Sequence, residues 1–385
     1  MVKRRFRIRV TCAGLVLAAL FAAAVPVWRG YIRTRDVQEG MPFRGKFVTA
    51  YGLCRRLTGA RSCNGCVRLL GSGQLMMPSA KRREMTLEAS KAAAFAAFCR
   101  TNGVGYLFVQ LPKKLDVPMK MLPPGVKDFA YANADDLLRR LAVLGVETLD
   151  WRARFAASPR LVTENFYTSD SHWTNPASLR AAHDLAVEIA RRCGDDVRGA
   201  ERLADANWER SVLKGFFSGS LGKRTGMRFA DPDDVTVLIP KFATGLELSV
   251  PDREVVKTGS FAEIALPGYV KADAARRTRN LPFSAHYAGG GARFVRLVNP
   301  EAPIGRKILL IGDSFSRSLR TYLWSVVREI VAVDPRQYDP AFDCAGFVRD
   351  ERPDLVIQIP TAAALTSDVR TGEKRGYPAA FDYGL

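Results

Sequence analysis

Apolar residues recur along the chain at spacings that predict helices, each followed by a buried strand. Residues 86–102 carry apolar positions on one helical face and end at an Asn-Gly stop. The uninterrupted apolar run at 106–111 is typical of a strand that is buried on both faces. A second helix, capped by Asn133, precedes a short strand at 146–149. The pattern indicates a repeated helix-to-strand unit.

A third helix is predicted after Thr174 or Asn175, either of which can cap it, with Pro176 in its first turn. Between residues 208 and 303 the helical period is lost, and β-branched runs with many glycines indicate a β-rich insertion. Alternation then resumes. The elements predicted after the insertion are a strand at 307–311, a helix carrying Leu319, Leu323 and Val327, and strands at 330–333 and 354–359.

Strands that alternate with helices predict an α/β fold of three layers, α/β/α, in which helices cover both faces of a mostly parallel sheet. In such sheets the ligand site lies beyond the carboxyl ends of the strands. The loop around Asp170 and the turn at Ser314 both fall at that edge. The sequence therefore predicts a functional site there.

A transmembrane helix is predicted at the amino terminus. Five basic residues lie among the first nine, and an apolar run without a charged residue follows at 10–28. This run is long enough to span a membrane, and its basic flank places the amino terminus in the cytoplasm. We expect a single-pass protein of the cell membrane with an extracytoplasmic catalytic domain. A cleaved signal peptide is the alternative, because small residues stand at 22–24.

These patterns divide the chain into successive parts. The predicted parts are a cytoplasmic tail at 1–9, a transmembrane anchor at 10–28, a linker at 29–50, the first part of the α/β domain at 51–207, the β-rich insertion at 208–303, the second part of the domain at 304–370 and a tail at 371–385. The motifs with candidate chemistry fall in the two parts of the α/β domain.

Composition and charge narrow the choice of partner. Hydrophobic residues make up 47% of the chain and charged residues 25%, which is ordinary for a folded protein. A net charge of +19 favours nucleic acid, anionic lipid or an anionic cell-wall polymer as a partner. The predicted export of the domain that follows residue 28 argues against nucleic acid as a partner.

The cysteines are compatible with export. Six of the seven lie outside the apolar run, an even number that an oxidising compartment can pair. Cys63 and Cys66 enclose an Asn-Gly pair, and we favour a local disulfide there, with unpaired thiols as the alternative. No histidine lies near them to complete a zinc site. We predict no metal and no cofactor.

Ser314 is a candidate nucleophile because it follows a buried strand and opens a helix. At that position its hydroxyl is presented at the sheet edge, and backbone N–H groups can face a developing anion. A helix-capping turn uses the same Gly-Asp-Ser residues, so the tripeptide alone does not distinguish a nucleophile from a helix cap.

Asp170 and His172 are candidates for the base that activates this serine. They stand in a polar stretch just before the third helix, where core packing explains a histidine poorly. A carboxylate can orient the imidazole, which can then accept the serine proton. A surface ion pair is the alternative. Trp173 and Arg317, next to the two motifs, are candidate substrate-binding residues, with ordinary packing as the alternative.

The remaining histidines are assigned no catalytic role. His183 lies on the face of the third helix, where a structural histidine is expected. His286 lies in the insertion beside a glycine run, with no carboxylate near it in sequence. The candidate triad therefore consists of Ser314, His172 and Asp170.

Three segments together resemble the DHHW proteins, relatives of the alginate O-acetylation proteins AlgJ and AlgX. They are the Asp-Ser-His-Trp-Thr motif at 170–174, the run Phe-Ser-Gly-Ser-Leu-Gly-Lys-Arg-Thr-Gly at 217–226, and the strand and turn at 308–316. The resemblance extends from about residue 64 to residue 365. Ser171 stands where the name-giving motif has its second residue, His.

The resemblance implies a fold and a reaction. It implies an SGNH-hydrolase-like fold in permuted order, in which Asp170 and His172 precede the nucleophile Ser314. It also implies acetyl transfer to an exported polysaccharide, with an acyl donor and often a membrane-bound O-acyltransferase as partner. We expect an O-acyltransferase acting through an acyl-serine intermediate. A carbohydrate acetylesterase with the same triad and a non-catalytic glycan-binding or assembly protein are the alternatives.

Overall fold

The computed structural model describes residues 44–64, 67–114, 122–156, 161–270, 281–337, 343–366 and Tyr383. The predicted transmembrane anchor at 10–28 lies outside these residues. Within them, no helix combines the length and the apolar character needed to cross a membrane.

The helices and strands of these residues are labelled in chain order. The helices are α1 (Arg44–Leu57), α2 (Thr86–Thr101), α3 (Ala130–Val143), α4 (Trp151–Ala156), α5 (Leu161–Asn165), α6 (Asn175–Cys193), α7 (Ser220–Thr225), α8 (Phe261–Ile264), α9 (Pro267–Val270), α10 (Ser316–Leu323) and α11 (Cys344–Glu351). The strands are β1 (Ser62–Cys63), β2 (Val67–Leu69), β3 (Leu75–Met76), β4 (Gly105–Gln110), β5 (Thr148–Asp150), β6 (Trp208–Phe217), β7 (Asp233–Pro240), β8 (Leu246–Val250), β9 (Val255–Gly259), β10 (Phe294–Val298), β11 (Ile304–Gly312), β12 (Val327–Val333) and β13 (Leu355–Ile359).

An eight-stranded sheet in the order β5-β4-β13-β11-β12-β10-β8-β9 forms the centre of the fold. Neighbouring strands from β5 to β12 are parallel. The strands β10, β8 and β9 continue the sheet in antiparallel pairing. The sheet is therefore mixed, with four parallel and three antiparallel pairings, because three strands of the region 208–303 join it at one edge. The other two strands of that region, β6 and β7, pair with each other.

Helices cover both faces of the sheet, which gives the three predicted layers. Strand β11 shows the division, since Ile308 and Leu310 belong to one apolar cluster and Leu309 and Ile311 to the other. The first cluster includes residues of α6 and α10, and the second includes residues of α2, α3 and α11. The two cores bury the second half of β11, residues 308–312, which leads directly into the turn that follows the strand.

Two predicted element boundaries were wrong for local reasons. Helix α3 begins at Ala130, and the Asn133 side chain does not cap it but bonds the backbone of Arg83 and Lys81 instead. Val327 does not belong to the helix after Ser314, because α10 ends at Leu323 and Val327 opens β12. The Thr174 cap of α6 is confirmed, since its hydroxyl accepts a hydrogen bond from Ala177 N–H.

Candidate active site

Ser314 lies immediately after the carboxyl end of β11, in a turn fixed by the buried carboxylate of Asp313. One oxygen of Asp313 accepts a hydrogen bond from Phe315 N–H at 2.9 Å. The other accepts bonds from the N–H and hydroxyl of Thr361, at 3.0 and 2.7 Å. Since Thr361 follows β13, Asp313 ties the serine turn to the neighbouring strand.

The three predicted triad residues meet in one line of hydrogen bonds. The Ser314 Oγ lies 2.8 Å from His172 Nε2. The other ring nitrogen, Nδ1, contacts Asp170 Oδ1. The sequence placed Ser314 and the Asp170 loop at the same sheet edge, and the structure brings their side chains into contact. This arrangement is suited to proton transfer from the serine hydroxyl to the imidazole.

Backbone from the region 208–303 contacts the Asp170 carboxylate. The Asp170 Oδ2 accepts a hydrogen bond from Ser220 N–H at 2.5 Å, and the Asp170 Oδ1 accepts one from His172 N–H at 3.0 Å. Gly219 packs so closely that a Cβ there would lie 2.2 Å from the Asp170 Cβ. The run at 217–226 therefore supplies the backbone that orients the carboxylate, a role that residue types alone did not indicate.

Asp170 is held as an anion. Burial raises the pKa of its carboxyl, but the neighbouring His172 and the N–H groups of Ser220 and His172 outweigh burial and hold this pKa well below its usual range. An ionised carboxylate stabilises the imidazolium that forms when His172 accepts a proton.

Two aromatic rings enclose the His172 imidazole. The ring of Phe283 stacks on it in near-parallel orientation, with centroids 3.9 Å apart. The ring of Phe315 lies tilted against it, at 4.8 Å. Phe283 belongs to a 3-10 helix, Phe283–His286, in a region whose sequence has no helical period, so no local pattern indicates this contact.

Fewer backbone N–H groups at the start of α10 are available to face a developing anion than the sequence predicted. The Phe315 N–H is bonded to the Asp313 carboxylate, and the Ser316 N–H is bonded to the Asp313 carbonyl. Neither group is therefore available to an oxyanion. Among the described residues, the Ser314 N–H donates to no protein acceptor, which leaves it as the candidate donor in this turn.

Trp173 and Arg317 occupy buried positions rather than the surface of a groove. The indole of Trp173 is fully buried, and its N–H bonds the Ser318 hydroxyl at 2.8 Å. Arg317 forms a buried ion pair with Asp334 at 3.1 Å. Both side chains brace α10 against its neighbours in this conformation.

His183 and His286 take no part in the hydrogen bonds that join Ser314, His172 and Asp170. His183 is partly exposed, 3.8 Å from carboxylate oxygens of Asp184 and Glu201. His286 is buried, and burial lowers its pKa to about 4. Cys54, Cys99 and Cys193 are free thiols. The favoured disulfide involves Cys66, which lies outside the described residues, and those residues contain no cluster of potential metal ligands.

The chain has an α/β fold, and part of its sequence is similar to an SGNH hydrolase-like domain. Residues 72–235 match the family model of the SGNH hydrolase-like domain of the acetyltransferase AlgX, which confirms the predicted resemblance. The matched segment contains Asp170 and His172 and ends before Ser314. No curated protein matches the sequence.

Solved structures share the fold across most of the chain. PatB1 of Bacillus cereus is 16% identical, with a TM-score of 0.63, over 77% of this chain and 95% of that one. A DHHW family protein from Eubacterium siraeum is 14% identical, with a TM-score of 0.55, over 78% of this chain and 92% of that one. At these identities the likeness establishes the fold.

Proposed function

We propose that the protein is an O-acyltransferase that acetylates an exported or cell-surface polysaccharide through an acyl-serine intermediate. The observation that carries this proposal is the hydrogen-bonded line from Asp170 through His172 to Ser314. The match to an acetyltransferase domain supports transfer of acetyl groups as the reaction.

The first half of the reaction forms the acyl-enzyme. His172 Nε2 accepts the Ser314 proton while Oγ attacks the carbonyl carbon of the acyl donor. The resulting oxyanion faces the Ser314 N–H, the donor left available in the turn. The imidazolium then returns its proton to the leaving group, and the acetyl group remains esterified to Ser314.

The second half transfers the acetyl group. A sugar hydroxyl takes the place of the leaving group, His172 accepts its proton, and the hydroxyl oxygen attacks the acetyl carbon. Collapse of the second tetrahedral intermediate returns the proton to Ser314 Oγ and releases the acetylated sugar. Water in place of the sugar would make the same residues an esterase.

The proposed setting is the outer face of the cell membrane. A membrane anchor at 10–28 would hold the domain there, where a membrane-bound O-acyltransferase could supply the acyl donor. The net charge of +19 suits an anionic polymer or lipid surface.

The fate of the acetyl group tests this proposal. Full-length protein in detergent micelles is given p-nitrophenyl acetate with and without a mixture of oligosaccharides, and acetylated sugar and free acetate are both quantified. We expect acetylated sugar to form with the wild type and Ser171→Ala, an exposed serine of the same motif, and not with Ser314→Ala. Acetate alone would favour the esterase, and equal rates for Ser314→Ala and the wild type would remove the catalytic assignment.

A further inference from the structure

Helix α1 presents a stripe of apolar side chains on the outside of the domain. Leu53 and Leu57 are 40% and 78% exposed, and the free thiol of Cys54 is exposed between them. Phe47, which is 42% exposed, stands seven residues before Cys54. This spacing places the four side chains on one face of the helix. A row of exposed apolar side chains is typical of a surface that meets a membrane or another protein.

The opposite face of α1 is packed tightly against α7 and the residue that follows it. A Cβ at Gly52 would lie 2.1 Å from the carbonyl oxygen of Thr225, the last residue of α7. A Cβ at Gly226 would lie 2.4 Å from the carbonyl oxygen of Val48. The two backbones are therefore in direct contact at both glycines. The apolar stripe is the face of α1 that points away from α7.

The surface around this stripe is basic. The sequence of α1 contains no acidic residue, and its basic residues are Arg44, Lys46, Arg55 and Arg56. Arg224 and Arg228, in the segment that packs against α1, are exposed as well. Asp231, itself 77% exposed, pairs with Arg56 at 3.4 Å. An apolar stripe flanked by basic side chains is typical of helices that lie at the surface of a membrane with anionic lipids.

The chain leads from the predicted membrane anchor into α1. Residues 29–43 separate the anchor at 10–28 from Arg44, the first residue of α1. A segment of this length spans at most about 50 Å even when it is fully extended. Helix α1 is therefore the described helix that the chain ties most closely to the anchor. This position favours lipid over a second protein as the occupant of the apolar stripe.

We propose that α1 lies in the interface of the membrane that holds the anchor, with its apolar stripe against the acyl chains and its basic side chains among anionic headgroups. The proposal rests on the membrane setting of the proposed function and is independent of the reaction. Because α1 packs on α7, the membrane contact is joined directly to the helix whose Ser220 N–H bonds the Asp170 carboxylate. The contact thus sets the orientation of the candidate active site relative to the membrane.

Photo-crosslinking to lipid tests this placement of α1. The full chain is reconstituted in vesicles of phosphatidylcholine and phosphatidylglycerol that contain a phospholipid with a diazirine on one acyl chain, close to the headgroup. After irradiation, the tryptic peptides are analysed by mass spectrometry. We expect lipid adducts on the α1 peptide at 47–55 and on the anchor peptide at 10–29. The peptide at 141–152 is the internal control, because it carries Val143, an apolar residue of α3 that is 83% exposed.

Two substitutions on the stripe give the matched comparison. We expect Leu53→Ser combined with Leu57→Ser to lower the adduct on the α1 peptide by at least about tenfold, because both leucines lose their apolar contact with lipid. Val143→Ser is expected to leave that adduct unchanged. Vesicles of phosphatidylcholine alone should also lower the adduct, since they lack the anionic headgroups.

The crosslinking pattern separates this proposal from the rest of the account. Adducts on the anchor peptide with none on the α1 peptide would overturn the placement of α1 and leave its apolar stripe to a protein partner. Adducts on neither peptide would overturn the membrane setting as well. An α1 adduct in a protein that fails to transfer acetyl groups would support the placement of α1 and count only against the reaction.

Discussion

Asp170 is the side chain on which the geometry of the candidate site depends. It is buried, yet it accepts hydrogen bonds on both oxygens and stays ionised. Its contact with Nδ1 leaves Nε2 of His172 facing the Ser314 hydroxyl at 2.8 Å. A neutral amide at this position would lack the charge that stabilises the imidazolium.

Replacing Asp170 by Asn is expected to destabilise the protein at neutral pH and to matter less in acid. The folded-state pKa of Asp170 lies below the ordinary value of 3.8. Its ionised form therefore contributes stability above that pH, and the contribution is lost as the pH falls through the lower folded-state pKa. Urea unfolding of both proteins from neutral to acid pH measures the difference. A difference in unfolding free energy that stays constant across this pH range would contradict the lowered pKa of Asp170 in the folded state.

The structure brings the three predicted site residues into contact, one pair through local sequence and the other across the sheet edge. Asp170 and His172 are two residues apart, whereas Ser314 is 142 residues from His172. The distant pairing was predictable because parallel strands bring their carboxyl ends together. The stacking of Phe283 was not, because no periodic pattern in its region indicates where the chain returns to the site.

The segment after β6 acts as a structural element of the site rather than as a peripheral loop. Its Gly219 N–H bonds the Ser169 hydroxyl, and its Ser220 N–H bonds Asp170. The segment passes so close to Asp170 that only a residue without a side chain fits at Gly219. The orientation of the carboxylate therefore depends on backbone contributed from the region 208–303.

Gly219→Ala is expected to lower kcat for ester turnover by at least about tenfold, because displacing Asp170 disturbs the imidazole it orients. The new Cβ would lie 2.2 Å from the Asp170 Cβ. Gly245→Ala is the control, since a Cβ at Gly245 meets nothing within 4 Å. Steady-state kinetics and thermal unfolding of both variants give the comparison. Equal kcat values for the two alanine variants would show that the close packing at Gly219 does not matter for activity.

Local patterns identified the strands and helices where the two alternate along the chain. They did not indicate where the strands of the region 208–303 join the sheet. Strand β11 was predicted because its unbroken apolar run is buried on both faces. The strands β8, β9 and β10 add to the edge of the same sheet in antiparallel pairing, which depends on long-range contacts that no local pattern encodes.

At the scale of the whole molecule, a mixed sheet brings three separate regions of sequence to one edge. The Asp170 loop precedes α6, the serine turn follows β11, and the 3-10 helix with Phe283 comes from the region between them. The α/β fold class was predictable from the alternation of helices and strands, and the similarity to the AlgX domain from the motifs. The membrane anchor at 10–28 stays a prediction, as does the extracytoplasmic setting derived from it.

In the proposed reaction, Ser314 carries the acyl group. The most direct measurement is rapid quenching of the full-length protein with p-nitrophenyl acetate, followed by peptide mass spectrometry. We predict one acetyl group on the peptide containing Ser314 in the wild type, and no acetylated serine in Ser314→Ala or in His172→Ala. Acetylation of another residue at the same rate in all three proteins would contradict the account.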